Sequence, residues 1–191
     1  ENIQIAADYI FSEGKRLESM SMKLFDLILL GKTGIEKRRI YVPDLLEAVG
    51  SSAAPIMAER NVVLRVRDCD AWIMGDKDLL RTVFINMLDN ASKASGGKGV
   101  VVLRARHKSS VVLIEVEDHG CGIPKDELKK ITEAFYMVDK SRSRKSGGAG
   151  LGLTLASKII ELHGGKLKIQ SEVDVGTCMQ VFFREVPSDA S

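Results

Sequence analysis

From Glu1 to about Leu30 the chain holds no proline, and apolar residues recur at seven-residue intervals. Ile3, Ile10, Leu17 and Leu24 form one row, and Ala6, Met20 and Leu27 a second. That repeat predicts a long helix with a coiled-coil-like seam. Glu13 interrupts the second row. A lone helix cannot bury such a stripe, so it needs either a partner helix or its own domain to pack on. Gly31 and Gly34 end the helix, and the basic stretch Lys37-Arg38-Arg39 reads as a solvated connection.

A short strand at about 39–42 comes next, then a helix opening at Pro43-Asp44 with Leu45, Leu46, Val49, Ala53 and Ile56 as its buried stripe. Val62, Leu64 and Val66 alternate as a strand does, and 71–74 reads as another. Asp76 is placed to cap a long helix that runs to about Ser95, where Gly96-Gly97 stops it. The β-rich segments 100–106 and 111–117 form a hairpin about Lys108-Ser109. A helix at 124–134, a charged glycine-rich stretch to Gly148, a helix at 150–163 and strands at 166–171 and 177–184 complete the chain. Strands grouped in hairpins, without strict β-α-β alternation, predict an α+β fold. It is a two-layer sandwich, a mixed sheet with helices on one face, preceded by the long N-terminal helix.

At 191 residues the chain suits one domain with a short helical appendage. Its 28 basic and 26 acidic residues leave a net charge of +2, which speaks against a nucleic-acid partner. Cys69, Cys121 and Cys178 show no C-x-x-C pairing and are odd in number, as suits a reducing compartment with no disulfide framework or structural zinc. No apolar run approaches the roughly 20 residues that span a bilayer. The first residue is Glu1, not methionine, so the sequence reads as part of something longer.

Three constellations carry chemistry. On the long helix, Asn86, Asn90 and Lys93 share one face, about 100° from the apolar stripe of Leu80, Val83, Met87, Leu88 and Ala91. Carboxamide oxygens and an ammonium there suit an anionic ligand carrying a hard cation, although ordinary helix-surface polarity would give the same pattern. At a strand end, Asp118-His119-Gly120-Cys121-Gly122-Ile123-Pro124 offers an aspartate that can accept from an exocyclic amine such as adenine's, beside glycines that let a flat ligand approach. A plain strand-ending turn is the alternative. Gly147-Gly148-Ala149-Gly150-Leu151-Gly152-Leu153 opens a helix, where free N–H groups and the dipole favour phosphate; a glycine hinge is compatible with the same residues. It is neither a Walker A loop nor a Rossmann fingerprint. Between the last two, Lys140 to Lys145 is a basic loop that beside a phosphate would supply charge.

In this order and spacing the constellations resemble the ATP-binding catalytic domain of sensor histidine kinases, which has the Bergerat-type fold. Residues 78–95 look like the family's N box, 118–122 like its G1 box, Phe135-Tyr136 with 138–142 like its F box, and 148–153 like its G2 box; Gly176-Thr177 matches a small motif on the last strand pair. The resemblance covers about residues 38–184. It implies Mg²⁺ held by Asn90 with help from Asn86, and phosphate met by Lys93. Asp118 would bind the adenine amino group, with Thr177 assisting through a water, and Gly120, Gly122 and Ile123 would admit the base. Tyr136 would begin an ATP lid running to Gly148, and Gly148, Gly150, Leu151 and Gly152 would hold phosphates. Gyrase- and Hsp90-type ATPases carry a water-activating carboxylate where this chain has Asn86, and an amide cannot be that base. The resemblance therefore implies transfer of the γ-phosphoryl group to a histidine, then to a response-regulator aspartate.

The N-terminal helix, 1–33, then resembles the second helix of the dimerisation hairpin, pairing two copies in a four-helix bundle. Residues 34–38 would be the linker, 39–186 the catalytic domain and 187–191 a polar tail. The first helix with its acceptor histidine is not among these residues, since His107, His119 and His163 all fall in the catalytic part. A cytoplasmic location is implied, with the inner membrane as the place where a longer parent protein would be anchored. Met137 stands where many members have arginine, which leaves γ-phosphate contact to Arg142 or Arg144, with Arg142 preferred. His119 stands for asparagine and Ala134 for proline. The alternatives are a degenerate interaction module, or a serine kinase or ATPase of the same fold.

Overall fold

A computed structural model describes residues 2–30, 35–138 and 150–188. Its elements are α1 (Asn2–Leu30), β1 (Arg38–Tyr41), α2 (Val42–Glu59), β2 (Val62–Arg67), β3 (Trp72–Gly75), α3 (Lys77–Ala94), β4 (Gly99–Lys108), β5 (Val111–Asp118), α4 (Gly152–Leu162), β6 (Lys166–Glu172) and β7 (Gly176–Val186). Local chemistry sets several bounds. Pro43 sits in the first turn of α2, where its missing N–H costs nothing. The Asp76 carboxylate accepts from Asp78 N and Leu79 N, capping α3.

The seven strands form one mixed sheet in the order β1-β3-β7-β5-β4-β2, with β6 also on β7. Only β2 and β4 run parallel; the other pairs are antiparallel. Alternate residues of the central strands, such as Val112, Ile114 and Val116 of β5 and Met179, Val181 and Phe183 of β7, face the core. There they meet the buried stripes of α2, α3 and α4, which is the two-layer sandwich that the alternation predicts. In α2 the fourth turn buries Met57 and leaves Ile56 half-exposed.

The two rows on α1 part company. Ile10, Leu17 and Leu24 of the first row are exposed, together with Phe11, Phe25 and Ile28. The second row turns toward the domain: Leu27 packs on the core cluster and Leu30 is buried in it. Where Glu13 interrupts that row it pairs with Arg16 at 3.1 Å, so the charge is met within the helix. Gly31 and Gly34 lie outside the described residues, as do the first residue of the expected linker and the last three of the chain.

Residues 124–134 are not the α-helix expected. Glu127 N bonds Pro124 O, Lys130 N bonds Glu127 O and Glu133 N bonds Lys130 O, so successive three-residue turns replace it. None of residues 125–138 is buried, and a short helix without a buried face has nothing to offset its nucleation cost.

Candidate functional site

A cavity of about 530 Å³ opens between α3, the ends of β5 and β7, the 122–138 segment and the start of α4. The N box residues reach it from α3: Asn90 and Lys93 line it, four and seven residues on from Asn86. Asn86 is buried behind the rim. Its Nδ2 donates to Thr82 O at 2.9 Å, which aims Oδ1 at the start of α4. A Cβ on Gly152 would lie 2.7 Å from that oxygen, so a larger residue there would have to displace the Asn86 carboxamide.

Asp89, on the same helix, was not singled out by sequence, yet it lines the cavity. One carboxylate oxygen meets Lys93 Nζ at 2.7 Å and the other meets Arg60 at 2.8 Å. Burial works to raise the Asp89 carboxyl, but Lys93 and Arg60 outweigh it and hold the group below its usual range. Lys93 is therefore held in place by its partner at the rim.

The opposite end is built on the sheet. Asp118 closes β5 and is 3% exposed, side by side with Thr177 of β7. Its Oδ1 accepts the Gly120 N–H at 2.9 Å. Burial raises the Asp118 carboxyl above its usual value, and bonds from the Gly120 and Thr177 backbone only partly oppose this. Ser171, unflagged by sequence, organises the neighbourhood. Its hydroxyl donates to Gly176 O at 2.9 Å and accepts Ile123 N–H at 2.8 Å. With that one proton committed, the 2.8 Å contact with Thr177 has Thr177 as donor. Thr177 then keeps its acceptor lone pairs beside the acceptor Asp118, and both residues line the cavity. Between the two ends the walls are apolar: Ile123, Ile131, Leu153, Val173 and the cross-strand pair Ile169–Met179. A flat apolar ligand with an amino edge at one end and anionic groups at the other matches this lining.

The glycines have packing reasons of their own. A Cβ on Gly120 would fall 2.4 Å from the Ala94 backbone, so this glycine lets the turn press against α3 and is not itself in the lining. Gly122, at φ +66°, has its Cβ direction blocked by Glu172 O at 2.0 Å, and it does line the cavity. Gly150 and Gly152 reach the cavity where α4 begins, whereas the Leu151 side chain is turned into the protein at 1% exposure. Tyr136 lines the cavity, its hydroxyl donating to Glu127 and its ring under Lys130. Met137 and Val138 line it too. Arg142, Arg144, Gly148 and the rest of 139–149 lie outside the described residues.

Sequence reasoning also passed over Lys23, which reaches the cavity from α1. Nothing in the α1 sequence marks it, since Glu13 and Arg16 are charged residues on the same domain-facing side.

Of the three histidines, His163 is buried at the end of α4, with Nδ1 donating to Ile159 O at 2.7 Å and Nε2 accepting Asp76 N–H at 2.9 Å. That pair of bonds requires the neutral ring, and burial lowers its basicity accordingly. The bond ties the far end of α4 to the cap of α3. His107 and His119 are on the surface.

Among the described residues no cluster of three or more histidine, cysteine or carboxylate ligands stands ready for a metal, and no helix is long and apolar enough to cross a membrane. The profile of the family described as histidine kinase-, DNA gyrase B-, and HSP90-like ATPase matches residues 75–187. The chain is similar to the signal transduction histidine-protein kinase ArlS of Staphylococcus aureus (strain USA300), at 45% identity over 101 residues, covering 53% of this chain. It spans 22% of the length of that relative. Full-length ShkA in complex with AMPPNP superposes at a TM-score of 0.79, with 26% identity, over 93% of this chain and 38% of that one. The Acinetobacter baumannii histidine kinase AdeS shares the fold, at a TM-score of 0.74 and 17% identity over 94% of this chain and 84% of that one.

Proposed function

The chain belongs to the histidine kinase-, DNA gyrase B-, and HSP90-like ATPase family, and on that footing we propose that it is the Mg-ATP-binding catalytic part of a sensor histidine kinase. Residues 39–186 would form the catalytic domain and 1–33 the second helix of a dimerising hairpin, joined by a linker at 34–38, with a polar tail at 187–191. The γ-phosphoryl group would pass to a histidine on a companion helix, then to the aspartate of a response-regulator receiver domain. The parent protein would work at the cytoplasmic side of the inner membrane.

The observation that carries this reading is the cavity with acceptors at one end and a lysine-and-carboxamide helix face at the other. Asp118 would take the amino group of adenine, with Thr177 Oγ1 beside it, and Ile123, Ile169 and Met179 would sandwich the base. Lys93, held by Asp89, would meet phosphate oxygens, and the N–H groups at the start of α4 around Gly150 and Gly152 would do the same. Gly148 and Arg142 would complete the phosphate side from the lid, with Tyr136 at its base. Asn90 and Asn86 fit Mg²⁺, since their carboxamide oxygens are hard neutral donors that leave the remaining positions to phosphate and water. When bound, the cation would neutralise charge on the transferred group.

Behind the cavity wall at the helix-start end α3 carries an amide, Asn86, whose Nδ2 is already committed to Thr82 O. An amide cannot act as the base that activates water, and Asp89, the carboxylate of the same helix in the lining, is held between Lys93 and Arg60, so the chain's contribution would be positioning and charge stabilisation for a protein nucleophile. Calorimetric titration with Mg-ATP and Mg-ADP tests the reading: binding in the micromolar-to-millimolar range is expected, with hydrolysis slower than phosphoryl transfer to an added histidine-bearing hairpin. Absence of binding at millimolar nucleotide, or rapid hydrolysis with no transfer, would overturn it.

A further inference from the structure

The face that α1 turns to the domain includes Glu13, Arg16, Met20, Lys23, Leu27 and Leu30, each partly or fully covered. Most of that face packs or pairs locally. Lys23 does neither. It lines the cavity beside Asp89, Lys93 and Gly152, and its Nζ lies 3.5 Å from where a Cβ on Gly152 would stand. The same point is 2.7 Å from Asn86 Oδ1, so α1, α3 and α4 converge on one spot at the helix-start end of the cavity.

We propose that Lys23 is a phosphate-binding residue supplied to the nucleotide site by α1, so that a nucleotide in the cavity fastens α1 to the catalytic domain. The inference rests on the reading of the cavity as a nucleotide site. Two cations line this cavity among the described residues, Lys23 and Lys93. Lys93 is neutralised by Asp89 at 2.7 Å, and Asp89 is shared with Arg60 at 2.8 Å. Lys23 makes no hydrogen bond or ion pair with any described residue. Burial lowers its ammonium below the ordinary value, Asp89 opposes this from a distance, and Lys93 adds to it. The other lining carboxylates, Asp118 and Asp174, stand on the strand side, so at the helix-start end two lysines share one carboxylate with Arg60 and negative charge is short there. Phosphate oxygens at the start of α4 would supply that charge, where the helix dipole already favours anions.

A consequence follows from linkage. A ligand that binds the docked arrangement of α1 better than an undocked one stabilises docking by the same factor by which docking tightens the ligand. α1 otherwise presents Ile10, Leu17 and Leu24 to solvent, so its posture decides where that apolar row points.

The test uses the 191-residue chain, its Lys23→Met variant and its Lys23→Arg variant, titrated calorimetrically with Mg-ATP and with adenosine. Lys23→Met should weaken Mg-ATP roughly tenfold, the loss of one partly exposed charge-assisted contact. Adenosine affinity should stay within about twofold of wild type, and Lys23→Arg should recover most of the loss. Hydrogen exchange in α1 should slow with Mg-ATP in wild type and not in Lys23→Met. Mg-ATP affinity unchanged in Lys23→Met would overturn the inference alone, and so would an equal loss for adenosine, which marks a structural defect. A wild-type chain that binds neither ligand would overturn the cavity reading and this inference with it.

Discussion

Replacing Asp118 by asparagine should move ligand affinity and stability in opposite directions. The carboxylate is 3% exposed, and one oxygen accepts the Gly120 N–H at 2.9 Å. Asparagine keeps the shape and an oxygen for that bond, but it puts an NH₂ in place of the second carboxylate oxygen. An amino group on the ligand then loses a charged acceptor and meets a donor. At about 1.5–3 kcal/mol for a hydrogen bond to a charged group, the dissociation constant for Mg-ATP should rise roughly 10- to 150-fold. The preference for ATP over GTP should shrink as well, because the guanine carbonyl can accept from the new NH₂.

Stability should not follow. Burial raises the Asp118 carboxyl above its unfolded value of 3.8, so the native state binds the proton more tightly than the unfolded chain. Its contribution is fully present below pH 3.8 and is lost as pH rises through the folded value. Above that, wild type carries a buried charge that the variant lacks. The ligand-free variant should therefore melt at or above the wild-type temperature at pH 7.5, and the gap should close as pH falls toward 3.8. Calorimetric titration and thermal unfolding of the same samples measure both effects. A variant that binds Mg-ATP like wild type, or that melts several degrees lower at pH 7.5, would refute the reasoning.

Other perturbations address the supports of the site. His163 must be neutral to accept Asp76 N–H, and burial lowers its folded value below 6.5, so stability should fall as pH drops below 6.5 until the folded value is passed. In His163→Phe, chemical-denaturant midpoints between pH 5 and 7 should lose that slope. Arg60→Ala removes one of two cations from Asp89 at a site about a quarter exposed. It should cost about 1–2 kcal/mol, a fall of roughly 2–8 °C in melting temperature by scanning calorimetry. Cys121 lines the cavity, whereas the Cys178 thiol is pushed up to about 11, chiefly by burial. Maleimide labelling at pH 7.5, followed by mass spectrometry, should modify Cys121 first and slow there when Mg-ATP is present, with Cys178 little changed.

What could be read in the chain was whatever a short stretch of it specifies. Period-2 alternation in 111–117 and a capping aspartate at 76 each state a local rule, and the strands and caps follow it. The 124–134 segment states a local helical preference too, but nothing buries it, and tertiary context prevails. Asn90, Lys93 and Asp118 were legible because each sits in a run of telling neighbours. Ser171, Asp89 and Lys23 were not, because their meaning lies across the fold. Ser171 matters through Ile123, 48 residues away, and Asp89 through Arg60, 29 residues away. Gly120 was legible as a residue, but its close approach to Ala94 was not, since Ala94 is invisible from its own motif.

The two ends of the cavity rest on structures of different stiffness. The acceptor end stands on β5 and β7, which pair continuously from Val111↔Arg184 to Asp118↔Thr177, so Asp118 and Thr177 cannot shift without breaking that ladder. The helix-start end, which would meet phosphate on the proposed reading, stands on three helices. His163 binds the end of α4 to the cap of α3 at 2.9 Å, which makes those two move together. α1 packs on the core through Leu27 and Leu30 and reaches the cavity through Lys23. A ligand that fills only the acceptor end engages the stiff part and leaves α1 as it was. On the proposed reading, adding phosphates engages the part that can move, so a terminal phosphate would be felt in the posture of α1 and of the apolar row it exposes.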